Sequence, residues 1–384
     1  MGRKADQRGQ WPALRLHLDV NKTILVDDKV QGIDAGTSCA QILYWGSWGH
    51  RSADGRKWRW DGGEPGGPPP DKDAVLYGNF VRKLPVSRRV KAQLKRDFIK
   101  RGQPGARLRP HWERMMEALS YEPAVSQALE SLPWAQEVGL DRGAVRLLPS
   151  FYRLLLHLQQ VAPSASVVLR TYGSDIPEVM VELDAFARGQ HPAWPGVKMD
   201  GSVAGLDATL TSSDTERFGA LHRGGPKGDD FGALALALGT VENPPGRDRP
   251  PYPCPLSFFE QHATRLVSGP QKIWEHLEAH RGKVVALRDD YAFWARNRFS
   301  TRAGKPLWVS AGQTHEVFFD DNIRHDDPNI IDVRRASDGQ PIGAKEALRR
   351  HAAWINPYRA VMDEGYLIEV LERTMVSAGF VDGA

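Results

Sequence analysis

Three apolar runs constrain the fold of this chain most, because each ends in polar side chains and helical segments separate them. The runs are ALRLHLD at 13–19, SASVVLRTYGSD at 164–175 and HEVFFDDNI at 315–323. Buried strands that alternate with helices predict a parallel sheet with helices on both faces. Ligands bind such sheets beyond the carboxyl ends of the strands. We therefore expect Asp19, Thr171 and the pair Asp320–Asp321 to converge on one cleft.

The composition is that of an ordinary globular protein. The chain has 384 residues, 41% of them hydrophobic and 26% charged, and a formal charge of +4. The length predicts two or three domains, and the charge is too small to indicate a nucleic-acid or membrane partner. No apolar run of membrane-spanning length occurs in the sequence, so we expect no membrane association and a cytoplasmic location. The two cysteines, Cys39 and Cys254, lack metal-ligand spacing and favour a reducing compartment.

The remaining segments extend the pattern of alternation. Strand-like runs occur at 283–290 and 305–310, whereas 191–255 is irregular except for the apolar stretch FGALALALGTV at 231–241. Helical periodicity covers about 85–160, 256–281 and 344–380, the last as two amphipathic helices. The expected class is therefore α/β.

Four motifs in this order resemble those of the haloacid dehalogenase (HAD) superfamily, whose members are mostly phosphatases and phosphotransferases on a Rossmann-like sheet. The motifs are LHLDVNKTIL at 16–25, VVLRTYG at 167–173, the lysine of GKPLWV at 304–309 and EVFFDDN at 316–322. The resemblance implies a Rossmann-like parallel sheet as a HAD-like core, with a mostly helical cap domain. It also implies a Mg²⁺-dependent enzyme that acts on a small phosphorylated substrate.

The resemblance assigns a role to each matching residue. Asp19 matches the nucleophile, and Asp320 and Asp321 match the metal-binding acids. The remaining matches are the backbone carbonyl of Asn21 as a metal ligand, Thr23 as the residue that orients the loop, Thr171 as the phosphate-binding hydroxyl, Arg170 as a neighbouring substrate contact and Lys305 as the lysine that holds nucleophile and phosphate. Lys283 is the other candidate for this lysine.

The chemistry of these residue types agrees with the resemblance. A carboxylate can attack a phosphoryl group and form an aspartyl-phosphate, which divides one difficult displacement into two easier ones. Mg²⁺ prefers one or two carboxylates together with substrate oxygens and water. A hydroxyl and an ammonium group can bind phosphoryl oxygens. The sequence therefore predicts an aspartyl-phosphate mechanism at Asp19.

Asn21 departs from the pattern of the phosphatases, in which a second aspartate serves as general acid and base. An amide cannot exchange a proton at neutral pH, so a contribution of roughly 10²–10⁴-fold would be missing. Two hypotheses follow. The chain is either an active phosphohydrolase or phosphotransferase, or a catalytically impaired protein that binds phosphorylated ligands.

The long intervals between the motifs predict inserted segments. We expect the core to comprise 1–30 and 156–384, with a cap-type insert at 31–155 and a second candidate insert at 190–260. Caps in this position can close over a cleft and exclude water. The substrate and the oligomeric state are left open by the sequence.

Three further segments admit two interpretations. Residues 44–60 interleave tryptophan with basic residues, which indicates either single-stranded nucleic-acid binding or a β-hairpin around the turn Ser52–Gly55, and we favour the hairpin. The basic run at 82–96 extends the nucleic-acid alternative, although a solvated helix face is the preferred interpretation. Asp289–Asp290 could form a second acidic cluster, but we favour a loop or helix N-cap.

Overall fold

The computed structural model describes residues 11–26, 34–224, 233–310, 314–324 and 326–380. The strands are β1 (Leu14–Asp19), β2 (Trp48–Arg51), β3 (Trp58–Trp60), β4 (Val75–Leu76), β5 (Ser166–Thr171), β6 (Phe218–Arg223), β7 (Leu234–Leu238), β8 (Arg265–Ser268), β9 (Val284–Arg288), β10 (Lys305–Val309), β11 (His315–Asp320), β12 (Ile331–Arg335) and β13 (Ala352–Trp354). The α-helices are α1 (Ala35–Gly46), α2 (Tyr77–Lys83), α3 (Arg88–Arg96), α4 (Arg109–Ala118), α5 (Pro123–Glu130), α6 (Pro133–Val138), α7 (Pro149–Val161), α8 (Ile176–Ala187), α9 (Leu256–His262), α10 (Pro270–Ala279), α11 (Tyr291–Arg296), α12 (Ala344–Arg350), α13 (Pro357–Met362) and α14 (Tyr366–Ala378).

Eight strands form the main sheet in the order β13-β11-β1-β5-β9-β6-β7-β8. Every neighbouring pair from β13 to β6 is parallel, whereas β7 is antiparallel to both β6 and β8. The α/β class and the mostly parallel sheet are therefore confirmed. The three strands predicted to carry the site, β11, β1 and β5, are the second, third and fourth in this order.

Helices cover both faces of the sheet. Successive side chains of a strand point to opposite faces, so neighbouring residues of β5 enter two different cores. In β5, Val167 and Leu169 pack into a large core with α7, α8 and α14. Val168, between them, packs into a second core with α10. A two-stranded parallel ribbon of β10 and β12 also borders this second face, through Trp308 of β10. A strand that is buried on both sides reads as a continuous apolar run, as the sequence of β5 does.

The segment 191–255 differs from the prediction of irregular structure. It contains β6 and β7, and both strands belong to the main sheet. The run FGALHR of β6 includes a glycine and ends in polar residues, and LALAL of β7 is too short for its period to separate strand from helix. Together β6 and β7 extend the sheet beyond β9.

Two short strands also occur in segments that were predicted to be helical. β8 lies between α9 and α10, and β13 follows α12 and pairs with β11. Each has four residues or fewer. So short a strand cannot be distinguished in the sequence from the helical pattern of the residues on either side. The predicted last helix is divided into α13 and α14 around Asp363–Gly365.

The aromatic and basic segment at 44–60 forms the predicted hairpin. β2 and β3 pair antiparallel, and the Gly55 amide donates to the Ser52 carbonyl at 2.8 Å to close the turn. The indole N–H groups of Trp48 and Trp58 donate to the carbonyls of Gly67 and Val75. These indoles are therefore committed to contacts within the protein, which favours the hairpin interpretation over a base-stacking surface.

The segment predicted as a cap, 31–155, contains α1 to α6 and the small antiparallel sheet of β2, β3 and β4. Its buried side chains, such as Leu43 and Phe98, share one continuous hydrophobic cluster with Leu16 of β1 and Val167 of β5. The boundary at residue 30 lies outside the described residues. The division into a core and a cap therefore stays a prediction.

Candidate active site

The carboxyl ends of β1, β5 and β11 meet at one edge of the sheet. Asp19 is in register with Arg170, and Leu18 with Phe319, so that Asp19, Thr171 and Asp320 end three adjacent parallel strands. All three are buried, with Asp19 only 5% exposed. The parallel alignment is what brings together residues that lie far apart in the sequence.

Lys305 reaches this edge from outside the main sheet, as the first residue of β10. Its ammonium group donates to Oδ1 of Asp19 and, at 2.8 Å, to Oδ2 of Asp320. The side chain is 1% exposed, and the Tyr172 and Phe318 rings lie within 5.2 and 5.6 Å of Nζ. Lys283, the alternative candidate, is exposed and precedes β9 at the opposite edge of the sheet. The structure therefore brings Lys305, and not Lys283, to the carboxylates.

Three carboxylates stand close together at this edge. Oxygens of Asp19, Asp320 and Asp321 all lie within 4.8 Å of one another. The Asn322 backbone N–H donates to Oδ1 of Asp320 at 2.8 Å, and the Asn322 side-chain amide donates to Oδ1 of Asp321 at 2.7 Å. This arrangement leaves more negative charge than Lys305 alone can balance.

The pKa values reflect this excess of negative charge. Burial and the charge of Asp320 raise the pKa of Asp19 well above its usual range, although Lys305 opposes the shift. Removal from water and the charge of Asp320 raise the pKa of Asp321 to about 7. Burial would lower the pKa of Lys305, but the charges of Asp19 and Asp320 outweigh it and raise that pKa. A divalent cation would relieve the same repulsion, and oxygen-only ligands of this type suit Mg²⁺.

The loop after β1 holds the two other residues of the first motif. The Val20 carbonyl accepts hydrogen bonds from the amides of Ile24 and Leu25, both at 3.0 Å, which turns the chain back sharply. Lys22 adopts a left-handed conformation with φ of 64° in this turn. Within the described residues, Oδ1 of Asn21 and Oγ1 of Thr23 are buried without a hydrogen-bond partner. An unsatisfied amide oxygen at this place is available to a ligand.

Thr171 begins a tight turn beside Asn21. Its Oγ1 accepts a hydrogen bond from the Gly173 amide at 2.7 Å, so the hydroxyl hydrogen remains available as a donor. A β-carbon added at Gly173 would lie 2.3 Å from Oδ2 of Asp175, 3.1 Å from Oγ1 of Thr171 and 3.5 Å from Nδ2 of Asn21. The turn thus requires glycine to bring these polar groups together.

Replacing Gly173 with alanine should destabilise the fold by about 1–3 kcal/mol, because the buried Asp175 carboxylate must move. Urea unfolding measures the effect. Gly36→Ala is the matched control, since its β-carbon would meet nothing closer than 3.4 Å and alanine favours the helix. Equal stability of Gly173→Ala and the wild type would contradict the crowded turn.

Arg170 lies beneath the site rather than in it. Its guanidinium donates to both carboxylate oxygens of Asp289, to the Pro306 carbonyl at 3.1 Å and to Nδ1 of His17 at 3.1 Å. These contacts occupy four of its five N–H groups, and the residue is 1% exposed. The prediction that Arg170 binds the substrate is not supported by these hydrogen bonds, all of which go to protein groups. The position makes Arg170 a link between β5, β9 and β10.

The partner of Arg170 is Asp289, a pairing that no sequence pattern indicates. Asp290 accepts a hydrogen bond from the Phe293 amide at 2.9 Å and caps α11, so the N-cap interpretation of the Asp289–Asp290 pair is confirmed for this residue. Asp289 instead turns toward Arg170, and its amide donates to the Thr171 carbonyl at 2.6 Å. The acidic pair itself was the only signal, since sequence patterns do not pair charges on adjacent strands.

No family model, curated protein or solved structure matches this chain. The resemblance to the HAD superfamily therefore rests on the four motifs. In the part of the chain that the structure describes, no helix has the length and apolar character needed to cross a membrane. The cytoplasmic location stays a prediction.

Proposed function

We propose that this protein is a Mg²⁺-dependent HAD-like phosphohydrolase or phosphotransferase that acts on a small phosphorylated substrate through an aspartyl-phosphate intermediate. The observation that carries the proposal is the contact of the Lys305 ammonium with both Asp19 and Asp320. These residues come from three different motifs of the resemblance. Their meeting at the carboxyl edge of a parallel sheet is where such chemistry is expected.

In the first step an oxygen of Asp19 attacks phosphorus. The new O–P bond forms as the bond to the leaving-group oxygen breaks, and the leaving group departs with the electron pair. Lys305 holds the carboxylate in place and offers positive charge to the phosphoryl oxygens. The Thr171 hydroxyl donates a hydrogen bond to one of these oxygens. In the second step water, or an acceptor alcohol, attacks the phosphorus of the intermediate, and the O–P bond to Asp19 breaks with its electron pair left on the carboxylate. The proton of the attacking group passes to a phosphoryl oxygen or to solvent.

Asp19, Asp320 and Asp321 would hold Mg²⁺, together with the Asn21 carbonyl that the resemblance implies. Bound Mg²⁺ supplies neutralisation of phosphoryl charge, which is the main requirement of phosphoryl transfer. The close carboxylates and the raised pKa values of Asp19 and Asp321 support a cation at this place. The predicted cap at 31–155 would then shelter the cleft.

Asn21 decides how fast the second step proceeds. Because its amide cannot act as a base, we expect slow hydrolysis and a persistent phospho-enzyme, with leaving groups that need no protonation as the preferred substrates. The alternative function is a phosphate-ligand binding protein without turnover. The described contacts give no support to the nucleic-acid alternative, since Leu94 of α3 packs against the core and the indole N–H groups of Trp48 and Trp58 are bonded within the protein.

Phosphate release from a panel of phosphorylated metabolites and an aryl phosphate tests the proposal. We expect release with Mg²⁺ and loss of release when a chelator removes the metal. The aryl phosphate should react fastest, because its leaving group departs without a proton. Absence of release from every compound, together with saturable binding of one of them, would favour the binding protein.

Replacing Asn21 with aspartate should increase phosphate release toward the roughly 10²–10⁴-fold that a placed acid and base contribute. The gain should be largest for alkyl phosphates, whose leaving groups need a proton. Steady-state rates with saturating Mg²⁺ measure it, and Asn79→Asp in α2, where the half-buried Asn79 side chain accepts a hydrogen bond from Arg82, serves as the control. A rate equal to or below that of the wild type would contradict the role assigned to position 21.

A further inference from the structure

We propose a second metal site, formed by His222, Cys254 and Asp290, that takes a zinc-class divalent cation. Potential ligand atoms of these three residues lie within 4.8 Å of one another, and all three side chains are buried. One nitrogen, one sulfur and one oxygen ligand form a donor set that suits Zn²⁺ and not Mg²⁺. The site is separate from the carboxylates around Asp19.

The distances match ligands around a shared centre. Sγ of Cys254 and Oδ2 of Asp290 lie 3.8 and 3.7 Å from Nδ1 of His222. The first distance is that of a weak hydrogen bond to sulfur and the second that of a loose ion pair. Both are about the separations expected between ligands of one tetrahedral ion with bonds of about 2.0–2.3 Å.

The same geometry argues against a nucleophilic triad. In a triad the histidine contacts the nucleophile with one ring nitrogen and the carboxylate with the other. Here Cys254 and Asp290 both approach Nδ1 of His222. A common centre between the three atoms accounts for this convergence, which an arrangement for nucleophilic attack does not.

The fold positions each ligand on a different element. His222 lies near the end of β6, Asp290 follows the parallel neighbour β9, and Cys254 lies in the loop before α9. Backbone amides of Arg223 and Phe293 donate to the two oxygens of Asp290 at 3.0 and 2.9 Å. Such outer contacts fix a carboxylate and leave its remaining lone pairs for a metal.

An open pocket of about 470 Å³ adjoins two of the ligands. His222 and Cys254 line it, together with Pro255, Arg296 and Asn297 among others. Three protein ligands with access to a pocket correspond to a zinc site that keeps its fourth position for water or a small ligand. Arg296 at the pocket favours an anionic ligand there.

The nearby arginines do not oppose the site. Arg288 lies within electrostatic range of Cys254 and Asp290, but its guanidinium is bound by the side chain of Asn243 and the carbonyl of Glu242. A centre of Zn²⁺, one thiolate and one carboxylate carries no net charge. The arginine charges are therefore compatible with the occupied site.

Cobalt substitution tests the proposal directly. Metal-free protein carrying Asp19→Asn, which weakens the first site, is titrated with Co²⁺ in excess Mg²⁺. We expect a sulfur-to-cobalt charge-transfer band in the near ultraviolet and intense visible bands of tetrahedral cobalt, saturating at one ion per chain. Zn²⁺ should displace the Co²⁺ and abolish the bands.

Variants identify the ligands. Cys254→Ser should lose the charge-transfer band, and Cys39→Ser, which alters the other buried cysteine, should retain it. A band that survives in Cys254→Ser, or no band in the parent protein, would overturn the proposal.

Alkylation of the same Asp19→Asn protein gives a measurement that needs no further substitution. Iodoacetamide should modify Cys254 more slowly with Zn²⁺ than without, by at least about tenfold, because a bound thiolate is shielded. Peptide mass spectrometry quantifies both cysteines, and Cys39 should show no zinc effect. Equal rates at Cys254 with and without Zn²⁺ would also overturn the proposal.

Discussion

Replacing Asp19 with asparagine is expected to reduce Mg²⁺-dependent phosphate release by at least about 10³-fold, the scale on which loss of a catalytic nucleophile acts. The amide cannot form the aspartyl-phosphate, and it removes one of three carboxylates available to the metal. The fold should persist, because the Lys305 ammonium keeps its 2.8 Å contact with Asp320. Initial rates on the best substrate of the panel measure the effect.

Asp54→Asn is the control for this substitution, since Asp54 lies in the exposed turn of the hairpin. Its rate should equal that of the wild type. Thermal unfolding of Asp19→Asn should show a transition no lower than that of the wild type, because one repulsive carboxylate is gone. A folded Asp19→Asn protein with wild-type release would refute the nucleophile assignment.

Replacing Lys305 with methionine should lower the free energy of unfolding by about 3–5 kcal/mol, the usual effect of removing one partner of a buried ion pair. The substitution leaves the buried carboxylates of Asp19 and Asp320 without their shared ammonium. Phosphate release should also be lost, because the positive charge near the phosphoryl group disappears. Urea unfolding and steady-state rates measure the two effects.

Lys283→Met is the matched control, because Lys283 is exposed at the other edge of the sheet. Its stability should stay within about 0.5 kcal/mol of the wild type. Millimolar Mg²⁺ should restore part of the stability of Lys305→Met, since a bound cation stabilises the folded state. Unchanged stability of Lys305→Met in the absence of metal would contradict the buried ion cluster.

The central part of the site could be predicted from the sequence because parallel strands align their carboxyl ends. Asp19, Thr171 and Asp320 each follow an apolar run, so their convergence requires only the correct strand assignment. Lys305 required a second argument, since β10 is outside the main sheet. The choice between Lys305 and Lys283 needed the structure, because both follow a glycine and precede an apolar run.

The outer strands could not be predicted for a different reason. β8 and β13 have four residues or fewer and lie among helices, whereas the runs of β6 and β7 lack a period that separates strand from other structure. Sheet pairing decides their conformation, and that information is not local. The ion pair of Arg170 with Asp289 could not be predicted for the same reason, because it joins two strands that lie far apart in the sequence.

The cluster of His222, Cys254 and Asp290 shows the limit most clearly. Metal motifs are recognised when ligands recur at short spacing, and these three residues are widely separated in the chain. The absence of such spacing led us to expect no cysteine site. The pairing of β6 with β9 brings two of the ligands together, and the loop before α9 adds the third.

Trapping the phosphoryl group on the protein tests the central claim most directly. The protein is mixed with Mg²⁺ and a reactive phosphoryl donor such as acetyl phosphate, quenched in acid and analysed by intact-mass and peptide mass spectrometry. We predict one added phosphoryl group on Asp19, removable by hydroxylamine and longer-lived in the wild type than in Asn21→Asp. Turnover without a phosphoryl group on Asp19, or the same label on Asp19→Asn, would contradict the account.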